Sequence, residues 1–187
     1  MRSSIAWLCA AVCALVLGCG HQQGNNGGEH HVSAEQAAAL ENQLRSKPPL
    51  EAAQQQYRTA VQQAADQIVA LVPGTTWQTV QDTWQNCGGD YVWTRAKEAY
   101  FLIAFSGPIP DDKWAQAVQI LKNAGNQFGA NDFGVMKDNP SDHDIYVRGP
   151  DGVQFQLSTQ KAGALTARSD CRMSQTDAAT APSTPHR

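Results

Sequence analysis

The sequence predicts an α+β fold: a two-layer sandwich whose mostly antiparallel sheet carries helices packed on one face. Three observations lead there. The elements read in the order α, α, β, β, α, β, β, β, β, and helical crossovers do not separate every strand from the next, which excludes a doubly wound parallel sheet. The segment 50–72 repeats apolar residues at helical spacing over many turns. Val153, Phe155 and Leu157 alternate with Gln154, Gln156 and Ser158, the pattern of a strand with one buried and one wet face.

In chain order, the first stretch is a leader. Arg2 is followed by an apolar or small run from Ile5 to Leu17, matching a signal-peptide core and short of the roughly 20 residues that span a membrane. It ends in Val16-Leu17-Gly18-Cys19, which resembles a bacterial lipobox. The expectation is a lipoprotein signal peptide over 1–18 and lipidation at Cys19, which becomes the first residue after cleavage. Two or more acyl chains hold a protein at a membrane where one would not. The alternatives are an ordinary secretory signal with an incidental cysteine, or an uncleaved anchor. The Gly-rich polar stretch completing 19–32 reads as a flexible tether.

A single domain is expected over 33–173. Ser33 and Gln36 form a capping-box pattern, Ala37, Leu40 and Leu44 follow at helical spacing, and Pro48-Pro49 stops this helix. The second helix buries Tyr57, Val61, Ala64, Ala65, Ile68, Leu71 and Val72, turns glutamines outward, and ends at Pro73-Gly74. Thr75 to Trp84 reads as a strand, then "NCGGD" as a loop. "YFLIAF", residues 100–105, reads as a central strand needing cover on both faces. Pro110-Asp111-Asp112 starts a helix with its acids in the first turn and Trp114, Ala117, Val118, Leu121 and Ala124 on its inner side, with Gly125 near its end. Strands are expected at 128–137, 144–148, 153–158 and 164–172, with a tight hairpin at Gly149-Pro150-Asp151-Gly152. The polar segment 174–187 reads as a disordered tail.

Five cysteines are present. Cys9 and Cys13 are expected to leave with the leader and Cys19 to be acylated. The remaining pair, Cys87 and Cys171, is expected to form a disulfide in an exported domain. The functional reading of that pair, a redox dithiol, lacks a C-x-x-C motif to support it. Formal net charge is −3 and the 14 Lys/Arg residues form no cluster, so nucleic acid is not an expected partner.

Three stretches, "PLEAAQQQYRTAVQQAADQIVALVPGTTW", "YFLIAFSGPIPDDKWAQAVQILKNAG" and the strand-turn-strand leading to Cys171, resemble mycobacterial LppA/LppV-type lipoproteins over roughly 33–173, together with the lipobox. The resemblance implies a cell-envelope lipoprotein and carries over no catalytic residues.

Candidate chemistry is sparse. His21, His30 and His31 beside Glu29 could hold a transition metal, but a solvated linker is the plainer reading, since a mobile segment lacks supporting hydrogen bonds. Asp142-His143-Asp144 could orient an imidazole as a general base, without a nucleophile to pair with it. Trp77, Trp84, Trp93 and Trp114 suit either a core or a sugar-binding cleft. No catalytic residues, metal ligands, cofactor or cofactor-binding residues are therefore assigned. The expected function is a non-enzymatic binding or interaction module, lipid-anchored at Cys19 on the extracytoplasmic side of the cell membrane, with an envelope protein, lipid or glycan as ligand. The alternatives are a cell-envelope hydrolase or carbohydrate-acting protein, and a lipid or glycolipid carrier.

Overall fold

The computed structural model describes residues 32–180. The expected signal peptide, Cys9, Cys13, Cys19, the expected tether through His31 with its three histidines, and the tail from 181 onward lie outside the described residues. Ser33 caps α1 (Ala34–Leu44): its hydroxyl accepts from the Gln36 amide while the Gln36 side chain accepts from the Ser33 amide, the reciprocal pair expected from the sequence. α2 (Leu50–Leu71) starts directly after Pro49 and buries Tyr57, Val61, Ala64, Ala65 and Ile68. Leu71 and Val72 are half-buried at its end.

β1 (Trp77–Asn86), β2 (Lys97–Phe105), β3 (Asp132–Asn139), β4 (Asp142–Arg148), β5 (Gln154–Thr159) and β6 (Gly163–Arg168) form one sheet. Its order is β1-β2-β6-β5-β4-β3, and every neighbouring pair is antiparallel. α3 (Asp111–Asn126) connects β2 to β3 and lies beside α2 on the same sheet face. Between these layers Phe101, Ile103, Phe155, Leu157, Leu165 and Ala167 from the strands meet the apolar faces of α2 and α3. A buried aliphatic or aromatic side chain of this kind contributes about 1.5–3 kcal/mol. Gly125 is buried inside α3, where a β-carbon would stand 2.5 Å from Cγ2 of Val147. The missing side chain lets the last turn of α3 close onto β4.

Both edge strands are bulged, β1 between Thr79 and Gln81 and β3 between Val135 and Lys137. A bulge twists an edge away from further pairing. The expected strand at 128–137 begins later, at Asp132. Phe128 instead follows the helix cap and joins an aromatic cluster, its ring centroid 3.9 Å from Tyr57 and 5.6 Å from Phe155.

Cys87 and Cys171 are joined by a disulfide, their Cα atoms 6.0 Å apart. Cys171 does not sit on β6 as the sequence suggested. The strand ends at Arg168, and the following segment bridges back to β2 through Lys97 and Arg172. With 84 residues between the cysteines, chain entropy gives a stabilisation of about 4–5 kcal/mol. The bond lies in a small second core with Leu44, Ala96 and Met173. The segment from Ser174, expected to be disordered, begins with a short helix, α4 (Gln175–Ala179), capped by Ser174. Arg45 of the loop after α1 donates to the carbonyls of Asp177 and Ala178 at 2.7 and 2.6 Å, satisfying the end of α4.

"YFLIAF" was expected to need cover on both faces. Phe101, Ile103 and Phe105 are buried under the helices, whereas Tyr100, Leu102 and Ala104 are half-buried on the other side. Among the described residues no helix covers that second face. Flanking side chains shield it instead.

Candidate functional site

The uncovered face of the sheet follows from strand alternation and register. Residues directly opposite in a sheet share a face. The pairings Tyr100 with Arg168, Arg168 with Gln154, Gln154 with Arg148 and Arg148 with Asp132 therefore set one row across five strands. The next row is Leu102, Thr166, Gln156, Tyr146 and Gly134. Aromatic, guanidinium and amide groups thus stand side by side on the face opposite the helices.

The two arginines are held in place. A β-carbon on Gly134 would fall 2.1 Å from Cζ of Tyr146, so glycine on β3 allows the tyrosine ring to lie across the neighbouring strand. The Arg148 guanidinium stacks 4.0 Å above that ring. Its Nε donates to Oε1 of Gln154 at 3.2 Å. Gln154 donates onward to Gln156 at 3.1 Å, and Gln156 to Asp144 at 2.8 Å. Arg168 lies 5.6 Å over the Tyr100 ring and 3.9 Å from Oε1 of Glu98. Cation–π attraction of this kind is worth about 0.5–1 kcal/mol at exposed sites.

At this end of the face a pocket of about 470 Å³ opens between Arg148, Arg168, Gln154, Glu98 and the glycine-rich turns 88–89 and 149–152. Glu98 is its buried acid, 7% exposed. Its Oε1 accepts from the Gln85 amide. Lys47 pins the far rim by bridging Asp151 at 2.8 Å and Asp170 at 3.0 Å. Those two carboxylates hold the Lys47 ammonium above its usual range, against the opposing effect of its burial. The disulfide forms part of the wall through Cys171.

The Asp142-His143-Asp144 constellation does not assemble. Neighbours on a strand point to opposite faces, so His143 turns toward the helices while Asp144 accepts from Gln156 and Asp142 pairs with Lys137 at 3.2 Å. The imidazole is flanked by two other carboxylates. Nδ1 lies 2.9 Å from Asp138 and Nε2 lies 3.0 Å from Asp111, and its ring stacks on Trp114 at 4.8 Å. His143 and the Ser141 amide lower the pKa of Asp111. Ser141, the nearby hydroxyl, bonds Asp111 rather than His143. The cluster ties the β3–β4 hairpin to the start of α3 and lacks a nucleophile–base pair.

The tryptophans divide. Trp114 is buried in the core, and Trp77 is half-buried with its ring N–H donating to Asp66 at 2.8 Å. Trp84 and Trp93 are exposed, the former beneath the Lys97 ammonium at 4.5 Å. None of the four lines the pocket. Glu98, Arg148 and Arg168 escaped the sequence reading. The alternation at 153–158 announced a wet face, but only the register of four distant strands brings these residues to it.

The fold matches known proteins. The crystal structure of LppA from Mycobacterium tuberculosis superposes with a TM-score of 0.66 at 20% identity, covering 81% of this chain and 95% of that one. A DUF4853 family protein from Actinomyces odontolyticus ATCC 17982 superposes with a TM-score of 0.50 at 16% identity, covering 69% and 71%. At these identities the likeness speaks for the fold alone. In sequence, the M. tuberculosis H37Rv lipoprotein-class protein LppB is 26% identical over 173 residues, which is 87% of this chain and 76% of LppB. Residues 26–175 match the family model LppA, described as a lipoprotein confined to pathogenic Mycobacterium. The resemblance first carried by the long helix, the "YFLIAF" strand and the lipobox thus extends across most of the chain, which belongs to the LppA family of lipoproteins.

Proposed function

We propose that this chain is a non-enzymatic envelope lipoprotein, held through acylated Cys19 on the extracytoplasmic side of the cell membrane, that presents the open face of its sheet to a ligand. The observation that carries this reading is the uncovered face itself. Leu102 and two tyrosines, two stacked arginines and a chain of amide hydrogen bonds are held in register there. A sheet face serving only stability would be expected either to carry a helix layer or to be uniformly polar. The absence of an enzymatic role is supported by His143, whose two ring nitrogens both already face carboxylates.

The test has two arms in cells expressing the full chain. Cys19→Ala should lose fatty-acid labelling and move to the soluble fraction, and persistent labelling would refute the anchor. A photo-cross-linking residue at position 166, in the middle of the open face, should yield discrete adducts. The same residue at position 56, on the outer side of α2, should not. Equal labelling from both positions would refute the open face as the working surface.

A further inference from the structure

We propose that the pocket at the end of the open face binds a small zwitterion, the ammonium and carboxylate carried by a free amino acid or a short peptide. The inference deepens the reading above and rests on it.

Glu98 supplies the first half. It is more than nine-tenths buried, and one carboxylate oxygen is engaged by Gln85. The other, Oε2, has no hydrogen bond among the described residues. It faces the side where Gly152 carries no side chain, and a β-carbon placed there would stand 4.0 Å away. Oε2 is left as an acceptor open to the pocket, with no donor of its own. An ammonium entering the pocket would provide that donor.

Arg168 and Arg148 supply the second half. A guanidinium fork matches a carboxylate in two-point geometry. Arg148 already lies over the Tyr146 ring and donates to Gln154, so it loses less freedom when a ligand engages it. Charge then selects the ligand class. A simple anion would suit the guanidiniums but meet the carboxylates of Glu98, Asp90 and Asp151 around the same space. A simple cation would suit Glu98 but meet both arginines. A zwitterion satisfies both signs.

Spacing separates the two sources. Arg168 lies 3.9 Å from Glu98, so the adjacent charges of a free amino acid can pair with both from alongside. Arg148 is three strand spacings from Glu98, about 14 Å along the sheet, within reach of the ends of a tripeptide once the side chains extend toward each other.

The test is calorimetric titration of the full chain in detergent with alanine, trialanine, N-acetyl-trialanine and trialanine amide. Saturable binding of alanine or trialanine is expected. Acetylating the amine or amidating the carboxylate should weaken trialanine at least about tenfold. Glu98→Gln should reproduce the acetylation loss, and Arg168→Met the amidation loss. Arg148→Met should weaken trialanine but not alanine. Equal affinity for free and blocked peptides, or no saturation by about 10 mM for either probe, would overturn the proposal. The blocked ligands decide the matter on the unaltered protein if a variant fails to fold. Failure here with position-166 cross-links intact would remove the zwitterion and leave the binding-module reading standing. Loss of those cross-links would remove that reading too.

Discussion

Ile68→Ala tests the packing of α2 on the sheet. Ile68 is fully buried on the inner side of α2 and belongs to the main core with Phe101, Ile103 and Leu165. The substitution removes three carbons. At about 0.8 kcal/mol per buried methylene the lost transfer free energy is about 2.5 kcal/mol. If the neighbours do not relax, a void of roughly 80 Å³ at about 24 cal/mol per Å³ adds close to 2 kcal/mol. The sum is about 4 kcal/mol, and partial collapse of the site brings it lower, toward about 3 kcal/mol. Urea unfolding followed by circular dichroism should show a lower midpoint with an unchanged slope, since the surface exposed on unfolding hardly changes. Gln56→Ala, exposed on the same helix, should shift stability by less than about 0.5 kcal/mol. A loss below about 1 kcal/mol for Ile68→Ala would refute the two-layer packing argument at its centre.

Two further outcomes are expected. Gly134→Val must push the Tyr146 ring off β3, because the new β-carbon falls on the end of that ring. The ring faces the uncovered side, so thermal stability should change by less than about 1 kcal/mol, while trialanine affinity falls in titration because Arg148 loses its platform. Acid sensitivity should come partly from Glu41. The Arg95 guanidinium hydrogen-bonds this carboxylate and holds its pKa below the ordinary value of 4.5, in spite of partial desolvation. A depressed folded-state pKa means that the stabilisation is present above the unfolded value and is lost as pH falls through the folded one. Melting temperatures measured from pH 7 down to about pH 3 should therefore fall below about pH 4.5, and Glu41→Gln should flatten that descent.

Local signals were legible in the sequence. The capping box at Ser33, the inner side of α2 and the alternation of Val153, Phe155 and Leu157 each depend on residues a few positions apart, and the structure carries all three. Phe128 misled because an apolar residue after a helix suits a strand as well as a cap that packs on Tyr57. The expectation that Asp142 and Asp144 serve His143 overlooked the two-residue period of the strand that holds them. The binding face was invisible for a different reason. Arg148, Gln154 and Arg168 become neighbours through the order β4-β5-β6, and Glu98 joins them through β2. Nothing in the spacing of those residues states that order. Glu41, which no local signal singled out, is a buried anchor for Arg95.

The position of the disulfide has a consequence for proteolysis. The chain between Cys87 and Cys171 contains β2, α3 and all the strands from β3 to β6, including the turn at Pro150–Gly152. A protease that cuts within this loop leaves two fragments tied by the sulfur bridge and still paired across the sheet. Such a nicked molecule would run at full length on a gel without reductant and as two bands with it. A cut before Cys87 instead severs everything upstream from covalent attachment to the sheet's centre. The response to proteolysis is therefore asymmetric: clipping inside the loop leaves the molecule in one piece, and clipping upstream frees the domain from whatever holds its N-terminus.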